Sequence, residues 1–345
     1  MRAVIYHGPG QKSLDEVPDP KILEDSDVIV RIDAVTICGT DLHILKGDVP
    51  EVTPGRVLGH EAVGTVVESG IGVKSVREGD HVLISCISAC GRCRYCKTGM
   101  YGQCRNGGGW IFGHLIDGVQ AEYVRVPFAD QSLYKIPEGL TDEQVLFLSD
   151  ILPTGYEVGV LNGRVQPGDV VAVVGAGPIG LSVIQGARLY SPGAIVAVEP
   201  TEARRIWAKA FGATIAVPPE GAKAAVDELT DRLGADVAIE AVGVPATFEL
   251  CADLIRPGGR VANVGVHGKP ATLHLESLWI KNVTITTGLV DTFTIPTLLK
   301  AIQSGQVDPT TFATHRFPFT KAMDAYDTFS RAGETNALKV VMTPA

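Results

Sequence analysis

Four cysteines at short intervals are the residues of this chain whose spacing most clearly predicts chemistry. They lie in the segment CGRCRYCKTGMYGQC, at Cys90, Cys93, Cys96 and Cys104. Zn²⁺ binds four thiolates tetrahedrally, and four protein ligands leave no position for a substrate. The segment therefore predicts a structural zinc that braces a loop. An iron–sulfur cluster can use the same ligands and stays open as an alternative, which a colourless purified protein would exclude.

A second candidate metal site is spread over three distant segments. Cys38 lies in CGTDLH, His60 in GHE and Asp150 in LSDILPTG. One sulfur, one nitrogen and one oxygen ligand, with a fourth position left for water, form the pattern of a catalytic zinc. Spacing along the chain cannot bring these residues together, so the grouping is a hypothesis that depends on the fold.

A glycine-rich turn in the second half predicts a dinucleotide site. The segment GAGPIG, residues 175–180, follows the apolar run DVVAVV and precedes a helical pattern. Its first glycine allows a tight turn, its second lets the backbone approach a pyrophosphate, and its third lets the helix pack on the strand. The helix N-terminus then faces the phosphates. The residues expected to bind the cofactor at this turn are Gly175, Gly177, Pro178, Ile179 and Gly180.

An acidic residue at the end of the next apolar run bears on the choice of cofactor. Glu199 ends AIVAVE, where a carboxylate is expected to accept hydrogen bonds from the adenosine ribose. A carboxylate there repels a 2′-phosphate, so NAD(H) is favoured over NADP(H). Arg204 could contact the ribose or the adenine, and a solvated helix residue is an equal alternative.

The elements that must position these residues differ between the two halves. Apolar runs and helical patterns alternate from residue 169 to residue 260, which predicts a parallel sheet covered by helices on both faces. The first half has short strands punctuated by Gly and Pro, such as DVIVRIDAV and EAVGTVVESG. The expected fold class is α/β, with a β-rich domain and a doubly wound parallel-sheet domain.

Composition bounds the class of protein. The 345 residues are 45% hydrophobic, enough for two domains with real cores, and the formal net charge is −9. No block of Lys or Arg stands out, so neither nucleic acid nor a membrane is an expected partner. The start MRAVIYHGPG has no apolar segment of signal-peptide length, and clustered thiols suit a reducing compartment. We therefore expect a cytoplasmic protein.

The motifs taken together resemble a known family. CGTDLH, GHEAVGTVVESGIGV, the four-cysteine loop and GAGPIG occur in the order seen in zinc-dependent medium-chain alcohol dehydrogenases. The resemblance covers most of the chain. It implies that Cys38, His60 and Asp150 hold a catalytic zinc, that the four clustered cysteines hold a structural zinc, and that NAD is the second cofactor. Aspartate as the third ligand is similar to the bacterial secondary-alcohol and formaldehyde-dehydrogenase-like branch.

The resemblance also implies roles for further residues. Thr40 would accept the proton of the alcohol and pass it through the nicotinamide ribose to His43, although Thr40 could instead bond a turn and His43 could be a surface imidazole. Glu61 would be an acidic neighbour able to approach the zinc. The remaining cofactor contacts implied by the family are Thr154 behind the nicotinamide ring, Val242, Gly265, Val266 and Lys339, the last with a solvated charge as its alternative.

The expected substrate pocket is mostly apolar. Its implied residues are Thr40, Cys86, Trp110, Leu289 and Val290, of which the last three could also be ordinary core. Such a wall suits small-to-medium alcohols, aldehydes and ketones. A polyol or formaldehyde dehydrogenase of the same family is the alternative, and a non-catalytic NAD-binding protein is an alternative of another class.

The family also implies the division of the chain. Residues 1–153 and 290–345 would form a GroES-like catalytic domain, with the structural-zinc lobe at about 88–108, and residues 154–289 a Rossmann NAD-binding domain. The active-site cleft would lie between them. Family members form dimers or tetramers, and the aspartate-ligand branch implies a homotetramer here.

Overall fold

The structure is a computed structural model that describes residues 1–344. In chain order, its strands are β1 Arg2–Gly8, β2 Gln11–Glu16, β3 Val28–Thr36, β4 Ala62–Ser69, β5 His81–Ile84, β6 Tyr123–Val126, β7 Leu133–Lys135, β8 Val170–Val174, β9 Ala194–Val198, β10 Ile215–Val217, β11 Ala235–Glu240, β12 Ile255–Asn263, β13 Thr284–Thr287, β14 Ala313–Pro318 and β15 Lys339–Thr343.

Most of the helices are short. They are α1 Gly39–Lys46, α2 Ala129–Ser132, α3 Asp142–Val145, α4 Ile151–Thr154, α5 Pro178–Arg188, α6 Glu202–Ala210, α7 Ala222–Leu229, α8 Pro245–Leu254, α9 Leu275–Leu278, α10 Ile295–Gln303, α11 Ala322–Ser330 and α12 Ala332–Thr335. A 3₁₀ turn at Leu146–Ser149 precedes α4, and a π-helix at Gly155–Leu161 follows it.

The chain forms two compact units. The first consists of residues 1–150 together with the chain from residue 291 onward, and the second of residues 151–290. The boundaries expected from the sequence, at 153/154 and 289/290, lie close to these.

The first unit is built on a seven-stranded sheet. The strand order is β14-β15-β3-β4-β5-β7, and β6 also pairs with β3. The two strands expected from DVIVRIDAV and EAVGTVVESG are β3 and β4, which pair antiparallel. β3 pairs with β4 on one side and with β6 and β15 on the other, and most of its side chains are buried. The hydrophobic core of this unit includes Ile37, Ile44 and Tyr326. Since Ile44 lies on α1 and Tyr326 on α11, both helices pack against the sheet.

The second unit contains a parallel sheet of six strands. Their order is β10-β9-β8-β11-β12-β13, which changes direction between β8 and β11, where ligands bind beyond the carboxyl ends of such sheets. The strands β8 and β9 consist of Val, Ala and Ile and are almost wholly buried, as expected of strands covered on both faces. The predicted doubly wound fold is confirmed.

The helices of the molecule are short compared with a bilayer. Over residues 1–344, no helix combines the length and the apolar character needed to cross a membrane.

Candidate active site and structural metal site

The register of β3 against β4 brings Cys38 and His60 to the same end of this strand pair. The strands are antiparallel, and Val35 pairs with Ala62. Cys38 follows the last residue of β3 by two positions, and His60 precedes the first residue of β4 by two. A thiol and an imidazole from distant parts of the sequence therefore become neighbours.

Asp150 lies at the same end of these strands because the residue before it, Ser149, is held there by hydrogen bonds. The Oγ atom of Ser149 donates to the carbonyl of Ala62 at 3.2 Å. The carbonyl of Ser149 accepts from the Cys86 amide at 2.9 Å. Because these bonds fix the end of the 3₁₀ turn on β4 and on the chain after β5, the next residue, Asp150, lies beside His60.

The ligand atoms have the spacing of a zinc site. Sγ of Cys38 lies 3.4 Å from Oδ2 of Asp150, and Nε2 of His60 lies 3.4 Å from the same oxygen. The three ligand atoms all lie within 4.8 Å of one another. Ligands about 2.0–2.3 Å from a tetrahedral Zn²⁺ lie about 3.3–3.8 Å apart. The geometry fits a zinc ion held by three protein ligands, with one position left for a substrate.

The electrostatics of the donor set also fit a cation. Burial raises the pKa of Cys38, and the carboxylates of Glu61 and Asp150 raise it further. Burial acts to lower the pKa of His60, but the Cys38 sulfur and the Asp150 carboxylate outweigh it and raise that pKa well above its usual range. Buried acceptors that repel one another are stabilised when a divalent ion binds them.

Asp41 faces the far nitrogen of His60. Oδ1 of Asp41 lies 4.0 Å from Nδ1 of His60, and neither atom has a hydrogen-bond partner among residues 1–344. A carboxylate behind a histidine ligand fixes which nitrogen carries the proton, which leaves Nε2 to bind the metal. Sequence reasoning missed Asp41. Its signal is its position three residues after Cys38, whose amide it accepts in the first turn of α1 at 2.9 Å.

Glu61 is paired with Lys339. Both side chains are 1% exposed; Nζ of Lys339 donates to Oε2 of Glu61 and to the carbonyl of Ile37 at 2.8 Å. The alternative of a solvated charge at Lys339 is therefore wrong, because β15 runs through the interior of the sheet. Burial raises the pKa of Glu61 against the lowering effect of Lys339. The catalytic role of Glu61 and the cofactor contact of Lys339 stay predictions.

Thr40 and His43 lie on α1, on neighbouring turns of the helix. Oγ1 of Thr40 lies 3.7 Å from Sγ of Cys38. The side chain of His43 is 41% exposed, and its Nδ1 lies 2.8 Å from Oδ2 of Asp48. Thr40 is thus close to the metal ligands, and His43 is open to solvent. These positions suit a proton path that begins at Thr40 and ends at His43.

Two of the expected pocket residues contact the metal ligands. Sγ of the buried Cys86 lies 3.7 Å from Oδ1 of Asp150. Trp110 lies edge-on to His60 with ring centroids 6.2 Å apart, and it stacks on His114 at 4.3 Å. Leu289 and Val290 belong to the second unit, and Val290 is buried. Leu289 is 46% exposed, so the alternative of ordinary core is wrong for it.

The four-cysteine loop forms the predicted second cluster. The sulfurs of Cys90, Cys93, Cys96 and Cys104 all lie within 4.8 Å of one another. Backbone amides of Arg105 and Cys96 lower the pKa of Cys93 to about 6, whereas burial and the neighbouring sulfurs raise that of Cys96 to about 12. Because crowded thiolates repel one another, a bound cation is required to keep all four ionised.

The glycine turn has the shape of a phosphate cradle. Gly175 follows β8 with φ +102°, and a Cβ on Gly180 would lie 1.9 Å from the Gly175 carbonyl. Apart from Gly177 and its two chain neighbours, no described residue has an atom within 4 Å of the point that a Cβ on Gly177 would occupy. Pro178 begins α5. The tight turn, the close helix packing and the open space at Gly177 fit a pyrophosphate at the N-terminus of α5.

Glu199 lies beside this turn. Its Oε2 accepts from the Ala176 amide at 3.0 Å, and its Oε1 from the Thr201 amide at 3.0 Å. These bonds fix the carboxylate after β9, where the ribose is expected. Arg205, which the sequence analysis did not single out, donates to the carbonyls of Glu199 and Pro200 at 2.9 and 2.6 Å. Arg204 is half-buried on α6.

The other expected cofactor residues follow strand or helix ends of the second unit. Val242 and Val266 are 48% and 72% exposed. A Cβ on Gly265 would lie 2.2 Å from the Gly243 amide, so only glycine fits there. Thr154 ends α4. Their contacts with a cofactor stay predictions.

Comparisons with known proteins agree with this architecture. A family described as the alcohol dehydrogenase GroES-like domain matches residues 24–138, and one described as zinc-binding dehydrogenase matches residues 178–304. The solved zinc dependent alcohol dehydrogenase 2 from Streptococcus pneumonia is 49% identical, with TM-score 0.95 over 100% of this chain and 98% of that chain. An alcohol dehydrogenase from Thermus sp. ATN1 is 37% identical, with TM-score 0.93 and full coverage of both chains (100% each).

A curated relative gives the same result at the sequence level. The alcohol dehydrogenase of Cupriavidus necator is 37% identical over 366 residues, covering 100% of this chain and 99% of its own length. Fold, motifs and relatives define the class of zinc-dependent oxidoreductases. This chain belongs to the zinc-dependent medium-chain alcohol dehydrogenase family. It is an enzyme that uses zinc and a nicotinamide nucleotide, and the non-catalytic alternative is set aside.

Proposed function

We propose that the enzyme interconverts small-to-medium primary or secondary alcohols and their aldehydes or ketones, with NAD(H) as hydride carrier. The observation that carries this proposal is the meeting of Cys38, His60 and Asp150, whose ligand atoms lie within 4.8 Å of one another. Such a three-ligand set leaves one coordination position for a substrate oxygen. The four-cysteine cluster would hold the structural zinc.

The residues divide the work of catalysis between binding and proton transfer. Zinc held by Cys38, His60 and Asp150 would supply an electrophile for the substrate oxygen, and NAD the hydride acceptor. Thr40, 3.7 Å from the Cys38 sulfur, is assigned to accept the proton of the substrate hydroxyl. His43 is assigned to take that proton onward to solvent, oriented by Asp48 at 2.8 Å.

NAD(H) is proposed over NADP(H) because of Glu199. Its carboxylate is held by two backbone amides at 3.0 Å, so it cannot swing away from an added phosphate without losing both bonds. A fixed negative charge beside the ribose disfavours a 2′-phosphate.

An apolar alcohol or carbonyl substrate is proposed because of the groups around the metal ligands. Trp110 and Cys86 contribute an aromatic ring and a buried thiol next to His60 and Asp150. Glu61, the acidic group that a polyol hydroxyl could use, is already bound to Lys339. We therefore prefer simple alcohols to polyols, and formaldehyde stays an alternative.

We further propose a cytoplasmic homotetramer, with a dimer as the alternative. The edge strand β13 is preceded by exposed apolar side chains, among them Leu275 at 60%, Ile280 at 67% and Trp279 at 73%, and such a patch favours self-association. Among residues 1–344, which include all seven cysteines, no disulfide forms, which suits a reducing compartment.

A substrate panel with a matched pair of cysteine variants tests this function. The holoenzyme is assayed for NAD reduction with propan-2-ol, benzyl alcohol, sorbitol and formaldehyde, beside Cys38→Ala and Cys251→Ala, the latter a buried cysteine of the second unit. We expect turnover of the first two substrates, its loss in Cys38→Ala and its retention in Cys251→Ala. Turnover of sorbitol or formaldehyde alone would support the alternatives, and full activity of Cys38→Ala would contradict the proposal.

A further inference from the structure

A buried chain of three side chains connects α11 with the histidine ligand. The hydroxyl of Tyr326 donates to Oε1 of Gln120 at 2.6 Å, and Nε2 of Gln120 donates to Oδ2 of Asp41 at 2.9 Å. The other oxygen of Asp41 is the atom 4.0 Å from Nδ1 of His60. Tyr326, Gln120 and Asp41 are at most 1% exposed.

The direction of each hydrogen bond in this chain is determined by its chemistry. A carboxylate only accepts, so the amide group of Gln120 must turn its NH₂ towards Asp41 and its oxygen towards Tyr326. Burial raises the pKa of Tyr326 well above its usual range, so its hydroxyl keeps the proton that it donates. The hydroxyl of Tyr326 thus determines the orientation of the Gln120 side-chain amide, and that amide in turn holds the Asp41 carboxylate in a single rotamer.

Gln120 also packs on the backbone that carries the metal ligands. A Cβ on Gly59, the residue before His60, would lie 2.4 Å from Cγ of Gln120. The backbone amide of Gln120 donates to the Leu58 carbonyl at 2.9 Å. The side-chain Nε2 of Gln120 lies 3.4 Å from the carbonyl of Thr36, two residues before Cys38. Gln120 thus contacts the chain just before both ligands.

We propose that Gln120 and Tyr326 are positioning residues of the catalytic metal site, which hold Asp41 so that its free oxygen accepts the Nδ1 proton of His60 and Nε2 is kept for the metal. This inference rests on the proposed site at Cys38, His60 and Asp150. Without Gln120, Oδ2 of Asp41 would keep only its bond from the Cys38 amide, and the carboxylate could rotate away from His60. Partners of this kind tune metal affinity as well as geometry.

The test compares Tyr326→Phe and Gln120→Leu with Tyr6→Phe, a change of the same chemistry at a buried tyrosine of the same core. Two readouts are taken on the full chain: the dissociation constant of the more labile zinc against a chelator, and the visible absorption of protein with Co²⁺ at that position. In both variants we expect zinc binding to weaken about 10-fold, which is the smaller end of the effect usual for residues that hold a metal ligand in place. The absorption spectrum of the cobalt protein should also change. Tyr6→Phe should change neither.

Two outcomes distinguish failure of this inference from failure of the metal site. Wild-type zinc affinity and cobalt spectra in both Tyr326→Phe and Gln120→Leu would overturn the inference alone, as would an equal change in Tyr6→Phe. Retention of the labile metal by Cys38→Ala would instead overturn the proposed site.

Discussion

Nε2 of His60 lies 3.4 Å from Oδ2 of Asp150, and this contact defines which carboxylate oxygen faces the metal position. The other oxygen, Oδ1, faces the thiol of Cys86 at 3.7 Å. Asp150 is therefore arranged to bind a metal through one oxygen while the second is held in the protein.

Asp150→Asn should weaken the catalytic site while preserving its shape. The amide has the same size but no negative charge, so we expect zinc affinity to fall by more than about 10-fold and turnover to fall with it. Metal content after dialysis and kcat measured without added zinc test this. Asp142→Asn, which changes a half-buried carboxylate paired with His81, is the control and should keep its zinc. Equal metal retention in the two variants would contradict the assignment of Asp150.

Thr40→Val should separate proton transfer from cofactor binding. Valine has the shape of threonine without the hydroxyl, so we expect kcat to fall by about 10²–10⁴-fold, the usual contribution of a positioned acid or base. The dissociation constant of NADH, measured by fluorescence, should be unchanged. Thr40→Ser should recover most of the rate. If Thr40→Val turned over at the wild-type rate, the proton path would have to begin elsewhere.

Glu199→Gln should relax the choice between NAD and NADP. Glutamine can still accept from one backbone amide, but it no longer repels a phosphate. We expect the ratio of kcat/KM for NADP to that for NAD to rise about 10-fold, equivalent to ~1.4 kcal/mol. Glu202→Gln, at the exposed start of α6, is the matched control. An unchanged ratio would mean that another residue selects the cofactor.

Zinc binding at the catalytic site should strengthen as the pH rises. In the metal-free protein the pKa of Cys38 is raised, chiefly by burial, and that of His60 is raised by the Cys38 sulfur and Asp150. Since the thiol and the imidazole are coupled, the pair holds at least one proton at neutral pH, and zinc must displace it. Each released proton changes affinity about 10-fold per pH unit, so competition with a chelator between about pH 6 and 8 should give a slope of one or more. A flat profile would contradict it.

The parts of the site that the sequence predicted best are those made by neighbouring residues. The four-cysteine loop and the turn at residues 175–180 are local, so their spacing already determines their geometry. For Cys38, His60 and Asp150 the ligand types alone support only a hypothesis, which the family resemblance strengthens, because their meeting depends on the register of β3 and β4 and on the bonds of Ser149.

Partners that are distant in sequence could not be predicted. Lys339 reaches Glu61 across 278 positions, and Tyr326 reaches Gln120 across 206. No periodicity or spacing connects such residues, because their contact is created by β15 and α11 returning to the sheet. The carbonyl contacts of Arg205 rather than Arg204 depend on the rotation of α6, which sequence patterns define only to within a residue or two.

The presence of one catalytic and one structural zinc in each chain can be measured by counting zinc ions per chain in the purified wild-type protein and in His60→Ala. We predict two zinc ions in the wild type and one in the variant, which should remain folded and bind NADH but oxidise no alcohol. One zinc in both proteins, or two in a His60→Ala variant that is still active, would contradict it.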